Sequence, residues 1–395
     1  MTALGKHEAR SIKDLVREAV TAALTDAGVA TGQIEAALFS NTRQPILEGQ
    51  NAVRGQIALA PLGLDTIPIV NVENACASGS SAVAMGADMI RAGRAQTVLV
   101  VGAEKMVYRD RDELVMKAFR GGTDVERIDE TAARMAACGA ALLPERYTPA
   151  PRRSFFMDIY AGLARLHMER FGTTPEQIAY AAAKNHTNAV RNPRAQYGGE
   201  TSPAQVLADK PVVWPLTRLM CAPISDGAAA LVLRPAREAG RRGVTLAGTA
   251  GPALRTGRWR ITTIIWAAAP RSKPMRRRAL GQKRSISPKC TTPQASPNFF
   301  RLKIWGCVRA VKAGRSPLPA TARNGRIPVN VSGGLVAKGH PVGATGVVQI
   351  CELVEQLRGE AGALQVKGAR VAVAENAGGF LGVEEAATLV TVLTR

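Results

Sequence analysis

The stretch Ile67-Pro68-Ile69-Val70-Asn71-Val72 returns late in the chain as Ile327-Pro328-Val329-Asn330-Val331. Both copies are rich in β-branched residues, the composition of a buried strand. Each copy is followed by a Gly/Ser-rich turn and then by a helical segment, 79–93 in the first copy and 342–357 in the second. Each unit closes on another apolar run, 97–103 or 370–374. Strand, helix, strand in that order is a βαβ unit and predicts a parallel sheet. Its repetition predicts two duplicated halves of an α/β fold. Ligands of such sheets lie off the carboxyl ends of the strands, so the two turns are candidates for one shared site.

Working outward, residues 11–28 have apolar positions at helical spacing, with Ser11 as N-cap and Gly28 as stop. Residues 34–40 read as a short strand, and 228–233 as a buried strand returning to the first sheet. The polar, Arg-rich stretch from Asp110 to Pro211 reads as an insertion over that sheet, its best helices at 154–171 and 174–190. The expected organisation is a first half at 1–110 plus 212–250, an inserted loop domain at 111–211, and a second half at 251–395.

A chain of 395 residues holds two or three domains and needs no disulfide or metal to build a core. With 46% hydrophobic residues it is neither disordered nor collagen-like. Aromatic residues make up only 4%, which disfavours a base-stacking nucleic-acid binder. The six cysteines, Cys76, Cys138, Cys221, Cys290, Cys307 and Cys351, form no CxxC pair, so no metal site is expected. No apolar leader core and no run of about 18 apolar residues is present, which predicts a soluble chain in the reducing cytoplasm with no membrane span. The formal charge of +21 is local: residues 239–351 hold 21 Lys and Arg and no Asp or Glu, and the remainder holds 31 of each sign.

Cys76 lies in Asn71-Val72-Glu73-Asn74-Ala75-Cys76-Ala77-Ser78-Gly79-Ser80, after a strand and just before a helix. The free N–H groups of a helix start favour a thiolate there, and a strand-turn-helix nucleophile suits acyl transfer. His340 lies in the Gly-dense turn Gly339-His340-Pro341-Val342-Gly343-Ala344-Thr345-Gly346, where a neutral imidazole can take a thiol proton. The turn Asn376-Ala377-Gly378-Gly379-Phe380-Leu381-Gly382 follows the last repeat strand, and its N–H groups suit an oxyanion hole or a simple tight turn. His186 reads as a surface or capping histidine rather than a substrate contact. No phosphate-binding glycine motif is present.

Together, Asn-Ala-Cys-Ala-Ser-Gly around Cys76, Gly-His-Pro around His340 and the closing Gly-Gly turn resemble the thiolases, in particular the sterol-carrier-protein-type and lipid-transfer-type branch. The resemblance covers roughly residues 5–250 and 324–395. It implies five αβαβα layers, two similar halves and a loop domain inserted in the first. It implies an acyl-CoA substrate, with no permanently bound cofactor. Cys76 would carry the acyl group, His340 would activate Cys76, and the N–H groups of Cys76 and Gly378 would form the oxyanion hole. The reaction implied is thiolysis of a 3-ketoacyl-CoA or the reverse Claisen condensation. A homodimer or homotetramer is implied, and some relatives act with a small acyl-CoA-binding accessory protein.

Three departures stand out. Asn376 occupies the place where many thiolases carry a second, acid/base cysteine, and an amide cannot abstract an α-proton. The branch's His-Asp-Cys-Phe or His-Asp-Ala-Phe motif is missing. So is the strand usually preceding Gly5-Lys6, which would leave a sheet position exposed. Residues 253–322 also lose every acidic residue while length is kept, as a pair of compensating frameshifts in the coding DNA would produce. Such a stretch is expected to fold poorly and to impair the enzyme. The alternatives are a non-catalytic lipid- or acyl-CoA-binding protein or pseudoenzyme, a condensing ketosynthase, and a basic surface for nucleic acid or anionic lipid.

Overall fold

Residues 11–28 carry their own start and stop signals, and they form the first helix, α1 (Ile12–Ala27). The Ser11 hydroxyl accepts the Asp14 N–H (3.2 Å), and the Asp14 carboxylate accepts the Ser11 N–H (3.0 Å). Gly28 ends the helix in the left-handed conformation, φ 61°. The computed structural model describes residues 1–238, 240–251, 322–325, 327–382 and 384–395.

The buried face of α1, including Leu15, Val16, Ala19 and Val20, packs on a four-stranded sheet. Its strands are β1 (Ala36–Ser40), β2 (Ile69–Val72), β3 (Val98–Glu104) and β4 (Gly227–Leu233), in the order β2-β1-β3-β4. β1 runs parallel to both neighbours, Ala37 facing Ile69 on one side and Leu99 on the other. β4 pairs antiparallel with β3, Val98 facing Leu233. The expected parallel sheet thus holds for three strands and is closed by an antiparallel fourth. Every residue of β3 is buried, as an apolar run in a central strand should be.

Helix α2 (Ser78–Arg91) leaves the end of β2 and covers the other face of this sheet. Between β3 and β4 the chain builds helices that include α3 (Phe155–Phe171) and α4 (Pro175–Ala189). Thr174 caps α4 through the Gln177 N–H, with Pro175 at the first position. Ala161, Ala179, Ala182, Val206 and Leu216 form a core of this stretch.

The second sheet holds β5 (Thr245–Ala250), β6 (Val371–Gly378) and β7 (Ala387–Thr394) in the order β5-β7-β6, with antiparallel pairs throughout. Helix α5 (Thr345–Arg358) lies with α2 between the two sheets. Leu38 and Val100 of the first sheet, Val83 of α2, Val347 and Leu353 of α5, and Ala372 and Leu393 of the second sheet share one core. The described residues therefore make four layers: α1, sheet, the α2/α5 pair, sheet. In the first half α1 and β1 precede β2; the matching positions of the second half fall in 252–321, outside the described residues. The basic stretch expected at 253–322, with Cys290 and Cys307, lies there too up to its last residue.

Three expectations need correction. Residues 327–331 are buried and pack toward Val373, Val390 and Val392, but they form no ladder among the described residues. Asn330, at φ 55°, breaks the extended run. Second, β6 continues through Gly378, so Asn376 lies in the strand and the turn begins at Gly379 (φ 67°). Third, residues 2–5 run along the start of β4: the Thr2 N–H donates to Ala228 O (2.9 Å), and Gly5 and Asp226 exchange two bonds (3.1 and 2.7 Å). No described helix is long and apolar enough to cross a membrane.

Candidate active site

The turn between β2 and α2 is shaped by local bonds. Ala75 sits at φ 47°. The Ser78 hydroxyl accepts the Asn74 N–H (2.8 Å) and donates to Ala75 O (2.5 Å). Cys76 is held on this turn, one residue before the helix cap. The second turn is fixed differently. A short helix, Gly334–Lys338, ends at Gly339, whose φ of 109° and closeness to Ser225 leave no room for a side chain: a Cβ would stand 2.5 Å from the Ser225 hydroxyl. That hydroxyl accepts the His340 N–H (3.0 Å). Buried Lys338 pairs with Glu352.

These two turns bring His340 Nε2 to 3.3 Å from Cys76 Sγ, although the residues are far apart in sequence. His340 Nδ1 lies 2.7 Å from the Thr345 hydroxyl, which donates its own proton to Pro341 O (2.9 Å). The hydroxyl has one proton and it is committed, so Thr345 Oγ1 accepts from Nδ1–H. That leaves the lone pair of Nε2 facing the thiol.

Burial pushes the Cys76 thiol up to about 11, against a smaller downward pull from Arg43. Burial of the thiol thus works against the thiolate expected at the helix start. Burial, with Arg43 and Lys338 adding to it, pushes His340 down to about 4. The resting pair is a neutral thiol and a neutral imidazole base.

Glu104, fully buried at the end of β3, ties the site together. Its oxygens accept from Asn41 Nδ2 (2.9 Å), the Thr42 hydroxyl (2.6 Å) and the N–H groups of Thr42, Arg43 and Gly343 (3.1, 2.9 and 2.8 Å). Burial raises its carboxyl above the ordinary range while these donors pull it back. The carboxylate thereby clamps the loop after β1 to the loop that carries His340. Cys76 and His340 line a cavity of about 520 Å³, walled largely by apolar side chains such as Met106, Phe119 and Phe156.

Gly378 packs straight onto the Cys76 turn: a Cβ there would be 2.4 Å from the Cys76 nitrogen and 2.5 Å from that of Ala77. Cys76, His340 and Gly378 are thus brought together. Asn376 is fully buried in β6, and neither end of its amide has a hydrogen-bond partner. Its oxygen faces α5, where a Cβ on Gly346 would come within 2.5 Å. His186 is buried rather than at the surface, with Nε2 2.9 Å from Leu219 O. Among the described residues no cluster of three or more His, Cys, Asp or Glu could hold a metal. Sequence reasoning gave no role to Glu104, Arg43 or Thr345. A carboxylate ending an all-apolar strand was the one signal available for Glu104; the other two depend on loops meeting in space.

The chain matches two family models, "Thiolase, N-terminal domain" over residues 1–213 and "Thiolase C-terminal domain-like" over 308–392. The second match begins earlier than the resemblance read from the motifs. Acetyl-CoA acetyltransferase of Methanothermobacter thermautotrophicus is 34% identical, over 93% of this chain and 92% of that protein. Sterol carrier protein 2 of Oryctolagus cuniculus is 32% identical, over 95% of this chain and 67% of that protein. Among solved structures, the "Ltp2-ChsH2(DUF35) aldolase" aligns with a TM-score of 0.69 at 20% identity, covering 99% of this chain and 95% of that one. Acetyl-CoA acetyltransferase from Syntrophomonas wolfei aligns with a TM-score of 0.60 at 16% identity, covering 100% and 96%. At these identities the structures speak for the fold alone.

Proposed function

The chain belongs to the thiolase family, and on that premise we propose that it transfers acyl groups between CoA thioesters through a thioester on Cys76. The observation that carries this reading is the 3.3 Å contact between Cys76 Sγ and His340 Nε2 at the cavity floor. Cys76 Sγ attacks the thioester carbonyl carbon as its proton passes to His340 Nε2. The N–H groups of Cys76 and Gly378 take the charge that develops on the carbonyl oxygen. The carbon–sulfur bond to CoA breaks, and the proton on His340 goes to the leaving thiolate. CoA is a substrate here, not a resident cofactor. In the thiolase reaction Sγ attacks the 3-keto carbon instead, the C2–C3 bond breaks, and the departing acetyl-CoA carbanion takes at C2 the proton held on His340; the Claisen direction is the reverse. We propose a homodimer or homotetramer as the working assembly, with β2 an edge strand of its sheet.

Incubating the full chain with acetoacetyl-CoA tests the reading. The expected product is a hydroxylamine-labile acyl group on the Cys76 peptide, absent in C76A and formed about 10²–10⁴-fold more slowly in H340A. A folded chain that gains no mass at Cys76 sinks it.

A second reading is favoured by Asn376. Its amide cannot move a proton at the α-carbon, and no carboxylate lines the cavity among the described residues. An acyl-CoA-binding protein or pseudoenzyme that stops at the acyl-enzyme would then acylate Cys76 without releasing acetyl-CoA in turnover.

A further inference from the structure

Four arginines line the cavity: Arg43, Arg152, Arg153 and Arg218. Three already have a carboxylate. Arg152 pairs with Asp112, Arg153 with Asp158 (2.7 Å) and Arg218 with Asp209 (2.8 Å). Arg152 and Arg218 are also open to solvent, each with 65% of its side chain exposed. Arg43 differs on both counts. It is 7% exposed. Its guanidinium makes one hydrogen bond, from Nη1 to Ala118 O (2.5 Å), and stacks over Phe119 at 5.2 Å. Nε is buried with no partner. No carboxylate among the described residues pairs with it, and Glu104, the buried acid of this region, has both oxygens already taken up by five donors. The buried Glu104 carboxylate attracts Arg43 but makes no contact with its guanidinium, and the buried Nε left without a partner is a donor that fits a carboxylate.

We propose that Arg43 is a specificity residue that binds a carboxylate on the acyl group, so that the cavity takes short dicarboxylic acyl thioesters in preference to uncharged ones. The inference rests on the acyl-transfer reading of Cys76. Arg43 lines the same cavity as Cys76 and His340, so an anion bound to it shares the cavity with the reacting carbonyl. The substrate carboxylate supplies the partner that Arg43 Nε lacks, while Arg152, Arg153 and Arg218 are already paired with carboxylates. Acyl transfer to Cys76 proceeds as above, and the carboxylate takes no part in bond making.

Succinyl-CoA and butyryl-CoA differ at the chain end and share the rest, so CoA contacts cancel between them. The expected result is at least tenfold faster acylation of Cys76 by succinyl-CoA in the full chain, scored as hydroxylamine-labile mass and corrected with C76A. R43Q should abolish the preference, slowing acylation by succinyl-CoA at least tenfold more than acylation by butyryl-CoA; R43K, which keeps the charge without the fork, should retain part of it. Butyryl-CoA reacting as fast as succinyl-CoA in the unmodified chain overturns the proposal without any variant. So does R43Q slowing both probes equally, which would make Arg43 a support for the Cys76–His340 pair. Calorimetric binding of both probes to C76A separates the two readings: a preference for succinyl-CoA there, with no acylation of the unmodified chain, keeps the Arg43 inference and rejects the acyl-enzyme, and no preference in either measurement rejects the inference.

Discussion

Thr345 decides which nitrogen of His340 is free. Its hydroxyl proton goes to Pro341 O, so its oxygen takes Nδ1–H and Nε2 is left as the base. T345V keeps the shape and removes the acceptor. Acylation of Cys76 should then slow about tenfold, the worth of roughly one hydrogen bond, with T345S restoring the rate and the melting temperature little changed in either. The same pair sets a pH signature. His340 is pushed from 6.5 to about 4, so its base form is present above about pH 4. Cys76 is pushed from 9.0 to about 11, so the thiol keeps its proton until then. Alkylation of Cys76 by iodoacetamide, assisted by His340, should therefore be nearly flat between about pH 5 and 9. In H340A it should climb about tenfold per pH unit, as a thiolate-only reaction does. The linkage signs agree with this window. Below 6.5 the unfolded chain binds the His340 proton first, so stability from that group is full above about 6.5 and is lost as pH falls toward 4. Above 9.0 the unfolded chain loses the Cys76 proton first, so that contribution is lost as pH rises toward 11.

At the scale of elements, the site depends on β6 lying flush against the Cys76 turn. G378A puts a methyl 2.4 Å from the Cys76 nitrogen and 2.5 Å from the Ala77 nitrogen, backbone against backbone, where no flexible side chain can give way. Overpacking of this kind costs about 1–3 kcal/mol. A fall in melting temperature together with slowed acylation is the expected outcome; a variant that acylates normally would show that the β6 end does not hold the nucleophile in place. Elements of this kind were readable in sequence where the signal is local. The caps of α1 at Ser11 and Gly28, and the run of β3 that is apolar up to Glu104, announced themselves because their causes lie within a few residues. Residues 327–331 carry the same β-branched signal as β2, yet Asn330 at φ 55° breaks their extended run, which the composition does not announce. The β6 end was misplaced for a related reason: Asn376-Ala377-Gly378 reads as a turn by composition, but seven ladder partners on β7 precede its last pair, Gly378 with Ala387.

For the whole molecule the charge distribution carries the argument. The nucleophile and the base were legible as motifs, whereas Arg43 has no motif, because its role comes from the loop after β1 meeting the Cys76 and His340 turns across the two halves. The excess charge obeys neither logic. All of it falls in residues 239–351, while the rest of the chain balances 31 basic residues with 31 acidic ones. A basic surface built for binding would still need acids to set its limits, and a CoA site needs only a few cations. The family matches at 1–213 and 308–392, the second beginning inside the acid-free stretch, and the 93% coverage by an acetyl-CoA acetyltransferase show that overall length is kept. Kept length with lost composition is what two compensating frameshifts produce. Resequencing codons 239–330 and translating the other two frames is the decisive measurement. One alternative frame should restore mixed charge, an amphipathic helical pattern and a His-Asp-x-Phe motif, and the repaired chain should turn over 3-ketoacyl-CoA faster than the present one. If neither frame reads as protein, the basic residues belong to the chain, and binding to duplex DNA that weakens steeply between 50 and 200 mM salt becomes the expectation to test, on the order of 10³–10⁵-fold for six to ten phosphate contacts.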